Sequence, residues 1–301
     1  MSHRKKFTTK EHIQNLEADG VSFKYMSPAD ARYVLNRVNY YFQVNAYSDN
    51  FAKGGDGKFI NLDFAYLADL AAIDRRLRQY LLALCLDVEQ GIKTYIVNNV
   101  SNNSKEDGYT IVQDFRKRHP HSYAGTMEQV NKNRYLSNLY GKYRKSMPIW
   151  VFMTACSFGV LSLFVDFYAD RYRTQKLKQI QAHLKFCKNI RNACAHSDPF
   201  LTNLFADEGV LRQPPAAVMS VGKEMGIPQT CIKDLKVNDL ISTFYLHQKV
   251  QSAELAQYRV QEGRQLLDRI NSHQDWYEGN SKLQTFWSVL KQLIDYLAQA
   301  S

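Results

Sequence analysis

The sequence has few of the residues that build disulfide or zinc frameworks. Its five cysteines stand apart, mostly within apolar runs, and no two of them form a Cys-x-x-Cys pair. This pattern excludes a disulfide framework and a zinc cage and fits a reducing cytoplasm. The N-terminal stretch MSHRKKFTTKEHIQNLEADG is basic but has no apolar core, so no secretory signal is predicted.

Patterns typical of β-strands are also scarce, which predicts a mainly α fold. The glycine-rich stretch at residues 52–59, AKGGDGKF, lacks the Lys-Ser/Thr ending of a phosphate-binding loop and is interpreted as a plain connection. His119 and His121 flank a proline, with no carboxylate or cysteine at ligand spacing. No metal and no cofactor are therefore expected.

One long stretch lacks charge altogether. Residues 146–165, SMPIWVFMTACSFGVLSLFV, are twenty uncharged residues, about the length of a membrane-spanning helix. Serine, threonine, glycine and cysteine recur through the stretch, and Pro148 suits a first helical turn. These features favour a helix buried within the fold, with a membrane span as the less favoured alternative.

Apolar spacing and helix-start signals predict helices along most of the chain. The first begins at Thr8 or Thr9, and Ser27-Pro28 opens the second. A loop rich in glycine and proline is predicted at residues 207–229. The predicted helices are 8–20, 28–47, 67 to about 100, 149–168, 174–196, 233–249, 252–271 and 281–299. The chain divides into an N-terminal helical segment (1–60), a helical core (61–205) and a C-terminal helical region (206–301).

The long helix from residue 67 to about residue 100 carries apolar side chains at three- and four-residue spacing. Glu89 and Lys93 lie four residues apart on it. The pair is interpreted as a modest ion pair on the surface.

Positive charge is concentrated in one third of the chain. Residues 101–200 hold sixteen Lys and Arg against seven Asp and Glu, which accounts for +9 of the formal net charge of +10. Aromatic residues are interleaved in FRKRHPHSYAG and KNRYLSNLYGKYRK, and aromatic rings beside guanidinium groups suit nucleic acid. The predicted RNA-binding residues are Arg116, Lys117, Arg118, His119, Arg134, Lys142, Arg144 and Lys145. The alternative is a solvated basic face without a ligand.

The segment KFCKNIRNACAHSDPF, residues 185–200, ends a predicted helix with Arg191, Asn192 and His196. On an ideal helix, Arg191 and His196 are roughly 140° apart around the axis. Pro199 is expected to fray the helix after His196 and free the imidazole, or two chains are expected to pack together and share a pocket. A purely structural role, in which both side chains interact with the helix C-terminus, is the alternative.

The chemistry of these side chains suits RNA cleavage without a metal. Histidine titrates near neutrality and can accept the proton of a ribose 2′-hydroxyl or return one to the leaving oxygen. Arginine stays charged and presents a planar fork to phosphate oxygens. Asn192 is expected to orient the histidine or a phosphate oxygen.

The stretch from Arg191 to His196 resembles the Arg-polar-x3-His motif of HEPN ribonucleases, and the surrounding chain resembles the abortive-infection (Abi) family, in particular its AbiD/AbiF-like group. Three stretches carry the likeness: LNRVNYYFQVNAYSDNF, LADLAAIDRRLRQYLLALCLDVEQGIKTYI, and MPIWVFMTACSFGVLSLF followed by RNACAHSDPF. They span about residues 20–205.

The resemblance implies a mainly α, HEPN-like helical bundle with additional N- and C-terminal helices. It also implies a homodimer, endoribonuclease activity that arrests a phage-infected bacterium, and a structured noncoding RNA as a partner of some relatives. A non-catalytic RNA-binding or scaffold protein of a defence or toxin–antitoxin system is the alternative from a different class. A membrane-active toxin, based on residues 146–165, is the least favoured.

Overall fold

The computed structural model describes residues 6–299, and among them the chain is helical with no β-strand. The mainly α prediction is confirmed. The helices are α1 (Thr9–Ala18), α2 (Pro28–Arg37), α3 (Tyr41–Asn45), α4 (Phe64–Ser101), α5 (Thr110–Arg118), α6 (Pro120–Lys132), α7 (Ser137–Tyr143), α8 (Ile149–Ala155), α9 (Phe158–Tyr172), α10 (Gln175–Ala195), α11 (Ala216–Glu224), α12 (Gln229–Ile232), α13 (Leu235–Val250), α14 (Ala253–Asn271) and α15 (Ser281–Ala298).

Local side-chain chemistry sets several helix starts where the sequence predicts them. Thr8 caps α1 in a capping box. Its hydroxyl accepts a hydrogen bond from the N–H of Glu11, and the Glu11 carboxylate accepts one from the N–H of Thr8. Ser27 caps α2, with Pro28 in the first turn. Thr174 caps α10, the helix that carries Arg191.

Two predicted helices are each divided in the structure. The predicted helix at 28–47 stops at Arg37, and the Arg75 guanidinium donates to the carbonyl oxygen of Val38 at 3.1 Å. The predicted helix at 149–168 is α8 and α9, separated by an extended Cys156. In both places a basic side chain from α4 binds the carbonyl oxygen of the residue that ends a helix, a contact that helical periodicity does not reveal.

The second of these contacts also corrects the interpretation of Glu89 and Lys93. The Lys93 ammonium lies 2.7 Å from the Glu89 carboxylate and donates to the carbonyl oxygen of Cys156 at 3.0 Å. The two side chains are only 12% and 14% exposed, so the pair is not a surface pair. It is largely buried where α8 and α9 meet α4.

The prediction of a loop at residues 207–229 is also wrong in part, because this segment contains α11 and the start of α12. Pro215 and Pro228 stand directly before these two helices, a position that proline favours. Glycine and proline in this segment thus mark helix boundaries as well as turns.

Three helices form the centre of the molecule. α4 is 38 residues long, which corresponds to about 57 Å, and α10 and α13 pack against it and against each other. Every residue of α13 from Val237 to His247 is buried. α13 therefore supports both α4 and α10 from within the core.

The uncharged stretch at residues 146–165 belongs to this core. Met147, Ile149, Phe152, Leu161 and Phe164 are all buried in it. Within residues 6–299, no helix combines the length and the apolar character needed to cross a membrane.

Candidate functional site

The C-terminal end of α10 carries Arg191, Asn192 and His196. The helix ends at Ala195, His196 is its C-cap, and Ser197 takes the left-handed conformation with φ of 61°. The N–H of Ser197 bonds the carbonyl of Cys194 at 3.2 Å, and the N–H of Asp198 bonds that of Ala193 at 3.0 Å. These two bonds form a Schellman motif.

The expected fraying after His196 is therefore wrong. The Schellman motif closes the helix with its carbonyl groups paired, and Pro199 follows two positions after Ser197. The position of the imidazole is set by an ordered turn, although the side chain itself points to solvent.

The two ionisable side chains of the motif do not bond each other. His196 is exposed, while Arg191 is half-buried. The Arg191 guanidinium donates from Nη1 to Oδ1 of Asn192 at 3.0 Å. Asn192 therefore orients the arginine in this structure, whereas its expected role was to orient the histidine or a phosphate oxygen.

Behind this helix end lies a buried carboxylate, Asp74 on α4. Its Oδ1 accepts hydrogen bonds from the backbone N–H groups of Phe200 at 2.9 Å and Leu201 at 2.7 Å. Its Oδ2 accepts from the Tyr47 hydroxyl at 2.8 Å and lies 2.9 Å from Nε of Arg78. Burial raises the pKa of Asp74, and Arg78 and these hydrogen bonds act in the opposite direction.

The loop at residues 197–202, which follows His196, is also bound by side chains other than Asp74. The Lys236 ammonium, from α13, donates to the carbonyl oxygen of Phe200 at 2.8 Å and to that of Thr202. Gln43 donates to the carbonyl oxygen of Ser197 at 3.2 Å, and Asn50 to that of Leu201 at 2.8 Å. Side chains from the α3 region, α4 and α13 thus fix the segment that follows His196.

Sequence reasoning did not single out Asp74, Arg78 or Lys236. A signal for the first two was present, because they are charged residues four apart on a helix whose other buried positions, apart from Asp69, are apolar. Nothing in the local sequence marks Lys236, since its partners lie 34 and 36 residues away.

The residues predicted to bind RNA lie on α5 and α7, in the turns on either side of α6, and directly after α7. Arg116, Lys117, Arg118, Arg134, Lys142, Arg144 and Lys145 are exposed, and His119 is half-buried with its ring 5.0 Å from that of Phe115. Lys117 lies 3.1 Å from Asp114, and Arg118 lies 2.6 Å from Asp170. These two cations are therefore partly neutralised within the chain.

A surface groove brings together cations that are separate in sequence. Arg116, Lys117 and Lys145 line it, together with Tyr123 and Met147, and its volume is about 430 Å³. The Arg116 guanidinium lies over the Tyr123 ring, 5.3 Å from its centroid. We call this the α5–α6 groove.

The α5–α6 groove and the Arg–His end are separate regions of the chain. Asp170, the partner of Arg118, is near the end of α9, which leads directly into the start of α10. His196 is at the opposite end of α10, and the 21 residues of this helix extend about 30 Å. The structure does not gather the predicted catalytic and RNA-binding residues into one pocket of a single chain.

Within residues 6–299, no three His, Cys, Asp or Glu side chains are grouped so that they could hold a metal ion.

Comparison with known proteins gives one match. The family model described as Abi-like protein matches residues 33–202, a range that includes Tyr47, Asp74 and the Arg191–His196 segment. No curated protein and no solved structure matches the chain. Since the matched range is more than half of the 301 residues, the chain belongs to the Abi-like family of abortive-infection proteins.

Proposed function

We propose that the protein is a metal-independent endoribonuclease of the HEPN type that acts in the bacterial cytoplasm during abortive infection. The observation that carries this proposal is the end of α10. It presents an exposed histidine on an ordered turn, with an arginine five residues earlier that is oriented by Asn192.

His196 and Arg191 have complementary roles in the proposed reaction. His196 removes the proton from a ribose 2′-hydroxyl, and the oxygen then attacks the adjacent phosphorus. Arg191 stabilises the negative charge that develops on the phosphate oxygens, and the bond to Asn192 limits the rotation of its guanidinium beforehand. The 5′-oxygen leaves with a proton, and the products carry a 2′,3′-cyclic phosphate and a 5′-hydroxyl.

The proposed reaction needs both an acid and a base, and one chain offers one histidine at this position. A homodimer in which two α10 ends approach each other supplies a second His196. The half-buried Arg191 and the exposed His196 make no direct bond within one chain, which supports a pocket completed by a second copy.

RNA is the proposed polyanion for the basic residues on α5 and α7 and in the adjoining turns, either as substrate or as a structured noncoding RNA that regulates the enzyme. Arg134, Lys142, Arg144 and Lys145 have no carboxylate partner within the part of the chain that the structure describes. Unpaired cations on one face favour phosphate binding through release of counterions.

The separation of this basic face from the Arg–His end supports a second candidate function. In this second candidate function the chain is a scaffold that binds RNA and does not cut it. The end of α10 is then a surface for assembly with another chain.

The two candidates are separated by cleavage of a labelled RNA in the presence of EDTA. The nuclease proposal predicts products with 2′,3′-cyclic or 3′-phosphate ends and loss of cleavage in His196→Ala. His121→Ala is the matched control, because His121 is also exposed but lies on α6. Cleavage that persists in His196→Ala, or products with 5′-phosphate and 3′-hydroxyl ends, would contradict the proposal.

A further inference from the structure

The α5–α6 groove combines two kinds of surface. Its apolar part includes Pro120, the Tyr123 ring and Met147, and its charged part includes Arg116 and Lys145. A wholly cationic face would suit any polyanion, whereas an apolar floor beside cations suits a ligand with a flat apolar part and an attached phosphate.

The cations of this groove differ in whether a carboxylate of the same chain is paired with them. Lys117 is held by Asp114 at 3.1 Å. Arg116 and Lys145 have no carboxylate partner among residues 6–299. Arg116 instead contacts the ring of Tyr123. These two residues keep their charge available for an anion.

The Tyr123 ring contacts two neighbours, Phe152 and Arg116. Its plane is nearly parallel to that of Phe152, at 13° and with 5.8 Å between centroids, and Arg116 lies over it at 5.3 Å. Phe152 itself is buried in the core. A planar guanidinium held on a ring in this way is a surface on which nucleobases stack.

From this arrangement we infer that the α5–α6 groove is a binding site for an unpaired RNA nucleotide, remote from the cleavage site of the same chain. The base packs against Arg116, Tyr123 and Met147, and Lys145 with Arg116 binds the flanking phosphates. The inference rests on the proposed function only in taking RNA as the ligand.

The geometry gives this site a preference for single strands. In a duplex the base faces are stacked on each other and cannot reach the floor of the groove, so a duplex contacts the cationic rim alone. Arg118, next to Lys117 of the groove, pairs with Asp170 near the start of α10, whereas His196 lies at the far end of that helix, which is about 30 Å long. The nucleotide held here is therefore not the one that the same chain cuts.

Binding is tested with RNA of one sequence in single-stranded and fully duplex form, measured by fluorescence anisotropy at several salt concentrations. His196→Ala protein is used so that the RNA stays intact. We expect Arg116→Gln with Lys145→Gln to weaken single-strand binding about tenfold or more and to reduce the salt slope by between one and two, since two phosphate contacts are lost. Duplex binding should change much less.

The matched control is Lys132→Gln on α6, an exposed lysine that is paired with Glu128 and lies outside the groove. It removes one positive charge outside the groove and should leave both affinities within about twofold. Circular dichroism of each variant checks that the fold is kept.

The position of the base is tested separately with single-stranded RNA that contains 4-thiouridine. Crosslinks should map to Tyr123, Met147 or a direct neighbour of these residues. Crosslinks confined to the region of Arg191 and His196, unchanged affinity in the double variant, or an equal loss for single strand and duplex would each overturn the inference. A protein that binds as described but never cleaves RNA would contradict the nuclease proposal and leave this site standing.

Discussion

Asp74 and Leu201 lie 127 residues apart in sequence and are joined by a 2.7 Å hydrogen bond from the Leu201 amide to the Asp74 carboxylate. The bond ties the long central helix to the loop that follows His196. Because the same carboxylate also binds Arg78 and Tyr47, its loss leaves the buried Arg78 guanidinium without its counter-charge.

Asp74→Ala is therefore expected to lower the free energy of unfolding by about 3–5 kcal/mol, measured by urea denaturation. Asp74→Asn should cost clearly less, because its remaining carbonyl oxygen can still accept from the amides of Phe200 and Leu201. Asp74→Ala protein with the stability of the wild type would show that this cluster does not hold the loop.

The contrast between Thr8 and Asp74 shows how far the sequence alone predicts this fold. The Thr8–Glu11 capping box lies within one helical turn, so the start of α1 follows from adjacent residues. Asp74 acts on a loop that is distant in sequence, and no local pattern reveals the partner of a buried carboxylate. The same limit applies at Cys156 between α8 and α9, because its carbonyl oxygen accepts from Lys93 on the distant helix α4.

The candidate site likewise combines residues that the local sequence predicts with partners that are distant in sequence. Residues Arg191, Asn192 and His196 were found from their order along one helix, and the structure places all three at the end of α10. Their surroundings could not be predicted, because Gln43, Asp74 and Lys236 reach the adjoining loop from three separate elements. The Asn192–Arg191 bond was also missed, since adjacent residues on a helix do not ordinarily face each other.

Asn192 is expected to act by positioning Arg191. Asn192→Leu keeps a similar volume and removes the acceptor of the 3.0 Å bond, so the guanidinium gains rotational freedom. We expect kcat for RNA cleavage to fall about tenfold or more, with KM and the free energy of unfolding little changed. Asn192→Asp, which retains the oxygen acceptor, should recover part of the activity if orientation of Arg191 is the cause.

Whether one pocket uses residues from two chains is tested by mixing two inactive variants. If Arg191 of one protomer and His196 of the other serve the same phosphate, an Arg191→Ala and His196→Ala heterodimer contains one intact pair. An equal mixture should then exceed either variant alone but stay below about a quarter of the wild-type activity, since half of the dimers are mixed, each has one of two pairs, and each lacks the second histidine. No recovery, with heterodimers demonstrated by native mass spectrometry, would contradict a shared Arg–His pair.

The Lys93 ion pair is expected to matter for stability far more than an exposed pair of the same spacing. Lys93→Met leaves the Glu89 carboxylate largely buried without its cation and the Cys156 carbonyl without its donor. The free energy of unfolding should fall by about 2–4 kcal/mol. Lys291→Met is the control, because Lys291 and Asp295 are 67% and 47% exposed, and its effect should be within about 0.5 kcal/mol.

Asp239 is expected to make the stability of the protein depend on pH between about pH 4 and pH 7. It lies on α13 and is 5% exposed; its Oδ2 accepts from Asn189 of α10 at 3.1 Å, and its Oδ1 is buried without a hydrogen-bond partner. Burial raises the pKa of Asp239 to about 7, while the bond from Asn189 and the charge of Lys185 lower it and Asp234 raises it further.

The sign of the effect follows from proton binding. Between about pH 4 and pH 7 the folded chain keeps a proton on Asp239 that the unfolded chain has released, so the contribution of this group to stability decreases as the pH rises through that window. Asp239→Asn is permanently neutral and retains an oxygen acceptor for Asn189. We therefore expect the variant to match the wild type near pH 4 and to gain stability relative to it up to about pH 7, by a few kcal/mol at most. Urea denaturation of both proteins at pH 4, 5.5, 7 and 8 measures this difference, and a difference that does not change with pH would show that Asp239 does not titrate in this window.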